Sequence, residues 1–121
     1  MKVLFVDDMQ IRFDRFQEKF KDECNEITYA STVEVAIDAL KKEKFDCIFL
    51  DHDLGGQYFV PSGKNTGYEI AEWIGNNMDY KPIIIIHSMN PIGGVNMHRI
   101  LQETGFSPIL CPFTCLMGNF A

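Results

Sequence analysis

The 121-residue sequence lacks any apolar run approaching the ~18 residues that span a bilayer. Its start, Met1-Lys2-Val3-Leu4, runs into acidic residues rather than into the apolar core of a signal peptide. A transmembrane helix is excluded and export is not expected. The chain also lacks internal repeats, low-complexity stretches and a charged tail. Basic residues are scarce: 11 Lys and Arg against 17 Asp and Glu leave a net charge of −6. That balance argues against a broad basic face for nonspecific duplex DNA binding. The 4 cysteines, Cys24, Cys47, Cys111 and Cys115, show no paired metal-ligand spacing. Cys47 falls in an apolar run, where a thiol packs as a small hydrophobe, and such structural thiols fit the reducing cytoplasm. What remains is ordinary globular usage, 46% hydrophobic and 23% charged, in a length that suits one domain over residues 1–121.

Three short apolar runs stand out: Val3-Leu4-Phe5-Val6, Cys47-Ile48-Phe49-Leu50 and Ile83-Ile84-Ile85-Ile86. They are continuous rather than alternating, as expected of parallel strands covered on both faces. Weaker strands are expected near Glu26–Ala30 and Ser107–Cys111. Between them lie helical patterns. Phe13, Phe16 and Phe20 share one face. Ser31-x-x-Glu34 and Thr66-x-x-Glu69 read as capping boxes. Asn90-Pro91 supplies an N-cap with proline in the first helical position, and Gly105 a stop. The βαβαβαβαβ order predicts an α/β fold of three layers, with an open five-stranded parallel sheet and right-handed crossovers. Gly55–Asn65 is a long loop for a βα connection. Phe113–Ala121 is too short for a full covering helix, so the final helix is expected to be missing. Phe113, Leu116, Met117 and Phe120 then fold back or meet a second subunit, and a homodimer through this tail is expected.

In open parallel sheets ligands bind beyond the carboxyl ends of the strands. Asp7, Asp8, Asp51, Asp53, His87 and Ser88 all fall there, from three different strands. Without a cation, clustered carboxylates would repel one another. Hard oxygen ligands around an open position suit Mg²⁺ or Mn²⁺, so Asp7, Asp8, Asp51 and Asp53 are the candidate metal ligands. The negative field should keep His87 protonated above its reference value near 6.5, ready to act as a general acid. Ser88 reads as nucleophile, phosphate ligand or cap, and Asn90 as cap and phosphate contact. Gly93-Gly94 is a weak signal for phosphate approaching a helix N-terminus. His52 is expected to alternate away from the flanking aspartates if the pleat persists.

Residues Val3–Asp8, Phe45–Asp51 and Thr66-Gly67-Tyr68-Glu69 resemble the first strand with its acidic pair, the acceptor strand and the third-helix start of response-regulator receiver domains. Pro82–His87 and Pro108–Phe113 are similar to the fourth and fifth receiver strands. The resemblance implies the flavodoxin-like strand order 2-1-3-4-5 and a metal held by the acidic pair and Asp51. Two positions depart from it. His87 stands at the Thr or Ser position, and Cys111 stands before Pro112 where a lysine is usual, so no fixed cation is expected to balance an aspartyl phosphate. These departures resemble a second group, the cyclic-phosphate-processing receiver-like domains, which share Asp51-His52-Asp53-Leu54 and His87-Ser88-Met89-Asn90-Pro91. That resemblance implies a metal-dependent phosphoesterase acting on RNA 2′,3′-cyclic ends or cyclic nucleotides. Asp51, His87, Ser88 and Asn90 would then be catalytic. The same residues also allow a nucleotide-binding or cyclic-phosphate-binding module without turnover, or a degenerate receiver used for protein interaction.

Overall fold

The structure is a computed structural model and describes residues 1–24, 26–56 and 58–118. Five strands, β1 (Lys2–Val6), β2 (Glu26–Ala30), β3 (Cys47–Leu50), β4 (Ile83–Ile86) and β5 (Ile109–Leu110), form one sheet in the order β2-β1-β3-β4-β5. All neighbouring pairs are parallel. Helices α1 (Gln10–Phe20), α2 (Val33–Lys42), α3 (Gly67–Asn77), α4 (Pro91–Glu103) and α5 (Phe113–Met117) alternate with them. None is long and apolar enough to cross a membrane among the described residues.

The continuous apolar runs follow from burial on two sides. Leu4, Val6, Ile48 and Leu50 point into a core with Ala36, Leu40, Ile70, Ile74, Met97 and Leu101 of α2, α3 and α4. Val3, Phe5, Cys47 and Phe49 point the other way, onto Phe16 of α1 and Phe113 and Met117 of α5. The tail is therefore used within the chain. α5 is shortened to five residues rather than missing, because Phe113 and Met117 fill the space a longer helix would cover. Leu116 packs against the same cluster, and Phe120 lies outside the described residues.

Helix ends mostly follow the expected chemistry. Thr66 caps α3 and Asn90 caps α4, with Pro91 at its first position. Gly105, at φ +94°, follows the last turn of α4, where a side chain would be strained. For α2 the cap is Thr32 rather than Ser31, its hydroxyl accepting from the Val35 N–H.

Candidate functional site

The sheet ladder runs one residue beyond three strand ends. Asp7 N–H donates to Ala30 O, Asp51 N–H to Val6 O, and His87 N–H to Leu50 O. Each candidate residue thus starts from a backbone amide held by the neighbouring strand, near the crevice between β1 and β3 where the crossovers change faces.

Asp7 is fully buried, with Oδ1 accepting from the Met9 N–H at 2.9 Å and Oδ2 lying 3.0 Å from His87 Nε2. Asp51 Oδ1 accepts from the His52 N–H at 2.9 Å. Donor atoms of Asp7, Asp51 and His87 all lie within 4.8 Å of one another. Asp8 is half-buried at the rim, where its Oδ2 accepts from the Gly56 N–H at 2.6 Å.

A fixed cation is present, contrary to the expectation from Cys111. The Arg12 guanidinium lies 3.5 Å from Asp7 Oδ2 and 3.7 Å from Asp51 Oδ2, and it rests over the Phe113 ring at 5.5 Å. Its one sequence signal is proximity: Arg12 lies in the first turn of α1, directly after the acidic pair.

His87 does not carry the raised proton affinity expected of it. Its ring is fully buried, stacked on Phe5 at 4.7 Å with Phe113 edge-on at 6.1 Å. Burial lowers its proton affinity below the ordinary value, and the hydrogen bond and charge of Asp7 do not restore it. Nε2–H donates to Asp7, which leaves the Nδ1 lone pair without a partner among the described residues. His87 therefore holds Asp7 from beneath rather than facing an incoming ligand.

Burial first, and the Asp7 carboxylate second, push the Asp51 carboxyl well above the usual range, against the pull of Arg12. A carboxyl raised on folding favours the fold while protonated. That contribution is present below about pH 4 and is lost as pH climbs through the folded value. His87, lowered on folding, works in the opposite sense: its contribution is present above about pH 6.5 and lost as pH falls through the lowered value. Asp51→Asn removes the first effect. In chelator at about pH 7 it should melt above wild type by the equivalent of about 1 kcal/mol or more, with the gap closing toward pH 4. Equal melting curves at both pH values would show that Asp51 carries no such strain.

Asp53 lines the same cavity as Asp8, Arg12 and Asp51 but lies outside the close group of Asp7, Asp51 and His87. Its Oδ1 lies 2.7 Å from His52 Nδ1 and accepts from Asn90 Nδ2 at 3.0 Å, while Oδ2 accepts from the Phe59 N–H at 2.6 Å. Burial alone would raise this carboxyl, but the bonds from His52, Asn90 and Phe59 hold it below the usual range. Asn90 is fully engaged too: its Oδ1 accepts from the Gly93 N–H at 3.0 Å as the cap of α4. Ser88 Oγ accepts from the Asn90 N–H at 3.0 Å. Both residues shape the turn into α4 instead of facing Asp51.

His52 turns toward Asp53 rather than away, because β3 ends at Leu50 and the pleat does not persist. Gly93 serves that ring, not a phosphate: a Cβ there would sit 2.6 Å from His52 Cδ2 and Nδ1. The bonds from the Gly56 N–H to Asp8 and from the Phe59 N–H to Asp53 tie these two residues beside the site. Tyr58 and Phe59, with Met89, roof a cavity of about 30 Å³ whose walls are Asp8, Met9, Arg12, Asp51 and Asp53. Phe59 keeps φ at +53°, a left-handed conformation uncommon for a bulky residue.

Comparisons with known proteins place this geometry. Residues 2–103 match the model of the cyclic-phosphate processing receiver domain. The signal receiver domain of a putative Luxo repressor protein from Vibrio parahaemolyticus superposes with TM-score 0.68 at 24% identity, over 97% of this chain and 84% of that one. A CheY-like receiver domain from Methylobacillus flagellatus gives 0.66 at 16% identity, over 95% and 89%. A response regulator from Burkholderia pseudomallei, whose structure holds a phosphorylated aspartic acid and a calcium ion, gives 0.63 at 15% identity, over 89% and 57%. No curated protein matches the chain. Fold and strand order are those of receivers, and the family match spans most of the sequence. The chain belongs to the cyclic-phosphate processing receiver domain family.

Proposed function

We propose that this domain is a metal-dependent phosphoesterase acting on a cyclic phosphate, RNA 2′,3′-cyclic ends or cyclic nucleotides. One observation carries the reading: Asp8, Asp51 and Arg12 open onto the same cavity, with Asp7 directly behind. Carboxylates alone would attract only cations. A guanidinium alone would attract any anion. Together with a divalent ion they select a phosphate that brings its own charge to both.

The residues fit such an ion. Asp7 and Asp51 are neighbouring buried carboxyls whose joint ionisation calls for more positive charge than Arg12 alone, the oxygen set is hard, and the Arg12 guanidinium marks the region to which positive charge is drawn. Asp7, Asp8 and Asp51 would hold Mg²⁺ or Mn²⁺, which when bound polarises a phosphoryl oxygen and offsets its charge. Arg12 supplies N–H donors in a planar fork for the phosphate oxygens. His87 keeps the Asp7 carboxylate aimed at the site. Tyr58 and Phe59, each 71% exposed, must lift to admit a phosphoester, because about 30 Å³ holds an ion or a water and little more. Once closed, that roof keeps bulk water away.

The test is to incubate the chain with Mg²⁺ or Mn²⁺ and a panel of 2′,3′- and 3′,5′-cyclic nucleotides, following ring opening by phosphorus NMR. A linear monoester that forms with metal and not in chelator is expected. The small cavity favours a second reading, a receiver that binds or takes up phosphate without turnover. No ring opening, together with metal-and-nucleotide stabilisation, supports a binding module. A gain of one phosphoryl group from acetyl phosphate, lost in Asp51→Asn, supports a receiver. Metal at a hundred times its dissociation constant should stabilise wild type by about 2.7 kcal/mol, read as a melting shift that Asp51→Asn loses.

A further inference from the structure

Beside the metal cavity lies a second set of reactive side chains that the phosphoesterase reading leaves unused. Ser62 Oγ is 2.9 Å from His52 Nε2, and His52 Nδ1 is 2.7 Å from Asp53 Oδ1. An ionised carboxylate only accepts, so the Nδ1 proton points to Asp53 and Nε2 presents its lone pair to the serine hydroxyl. Asn96 Nδ2 donates to Ser62 Oγ at 2.9 Å, which directs the serine's own hydrogen toward His52. Asp53 is fixed in turn by Asn90 and by the Phe59 N–H. The His52 ring is fully buried and seated against Gly93, so its orientation is set by packing as well as by hydrogen bonds.

A network that merely braced a loop would need donors and acceptors in balance, and nothing beside them. Here the serine end of the relay opens onto a cavity of about 320 Å³, lined also by Phe59, Val60, Pro61, Pro91 and Ile92. That volume falls at the small end of ligand sites. Among the described residues no charged side chain lines it, so it suits a neutral, apolar ligand rather than a phosphate.

We propose that Ser62 is an activated nucleophile, with His52 as its base and Asp53 as the carboxylate that orients His52, in a site for small neutral esters. Ser62 Oγ adds to the ester carbonyl carbon while its proton passes to His52 Nε2. Collapse of the adduct breaks the carbon–alkoxide bond, and the same proton leaves with the alcohol. Water then attacks the acyl-serine by the same route, releases a carboxylic acid and restores Ser62. Asn96 Nδ2, which donates to Oγ in the free site, is the side-chain amide that would turn to the oxyanion as it forms. The relay involves no metal and stands whether or not the neighbouring site opens cyclic phosphates.

A fluorophosphonate tests this directly, because an Oγ–P bond forms as the P–F bond breaks and fluoride leaves. The full folded chain, in chelator, should gain one phosphonyl group that peptide mapping places on Ser62. Ser62→Ala should still unfold cooperatively, at a lower temperature because His52 Nε2 loses its partner, and should gain none. Labelling should slow at least 10²-fold in urea and about 10-fold or more in Asn96→Ala, in line with the contributions of general bases and oxyanion donors. Absence of an adduct, an adduct on another residue, or equal rates in folded and unfolded chain would each overturn the proposal and leave His52 as a brace for the loop.

Discussion

Arg12→Ala should lower the melting temperature of the metal-free domain by roughly 10 °C, corresponding to about 3 kcal/mol. Arg12 faces two carboxylates whose side chains are 0% and 3% exposed, at 3.5 and 3.7 Å. Removing one partner of a buried charge pair leaves the other desolvated and uncompensated, which costs more than the pair itself contributed. The variant also loses the guanidinium's packing over Phe113. Mg²⁺ or Mn²⁺ should return more stability to Arg12→Ala than to wild type, because the ion no longer shares Asp7 and Asp51 with a fixed cation. Arg12→Lys should fall between the two, since an ammonium cannot bridge both carboxylates with a planar fork. Calorimetry with and without metal reads all three. An unchanged melting point for Arg12→Ala in chelator would refute the bridging role.

Gly67→Ala should cost a similar amount, about 3 kcal/mol, for a different reason. A Cβ at Gly67 would run into the Asp51 carbonyl oxygen and stand 2.9 Å from both the Asp51 carbonyl carbon and Met97 Sδ. The first two are backbone atoms of the residue that anchors the site. They cannot swing aside as a side-chain end can. The start of α3 must move off β3, straining the Gly67 N–H bond to His52 O, now 2.8 Å. The metal-dependent stabilisation should shrink along with the melting temperature. Gly63→Ala is the control, with nothing within 4 Å of its Cβ, and should stay within about 0.5 kcal/mol of wild type. Equal melting of the two variants would mean that α3 does not seat on Asp51 as described.

The sheet was legible from composition and periodicity because strand burial is a local property of the chain. Val3–Val6 and Cys47–Leu50 are apolar and buried at every position, as strands covered on both faces require, whereas in Ile83–Ile86 only Ile84 and Ile86 are buried and Ile83 is exposed. Parallel pairing then places the carboxyl ends of β1, β3 and β4 on one rim, so Asp7, Asp8, Asp51 and His87 could be grouped before any coordinate was known. Caps such as Thr66 and Asn90 were equally readable, since their bonds close within three residues.

What each side chain does at that rim depended on the fold. Asp53 reads as a metal ligand and Asn90 as a cap and phosphate contact, yet the two bond each other, and Asp53 also accepts from the Phe59 N–H. Arg12 reaches Asp7 and Asp51 only because α1 packs beside β1, and Ser62 meets His52 only because the long loop returns across α4. His87 shows the reason most directly. Its charged neighbours are visible in the sequence and favour a proton, whereas the burial that removes it comes from Phe5 and Phe113 closing around the ring. Hydrophobic pattern is written along the chain, while desolvation and side-chain direction are set by segments distant in sequence, so the chain alone determined the sheet and its acidic rim, and the tertiary structure assigned the chemistry there.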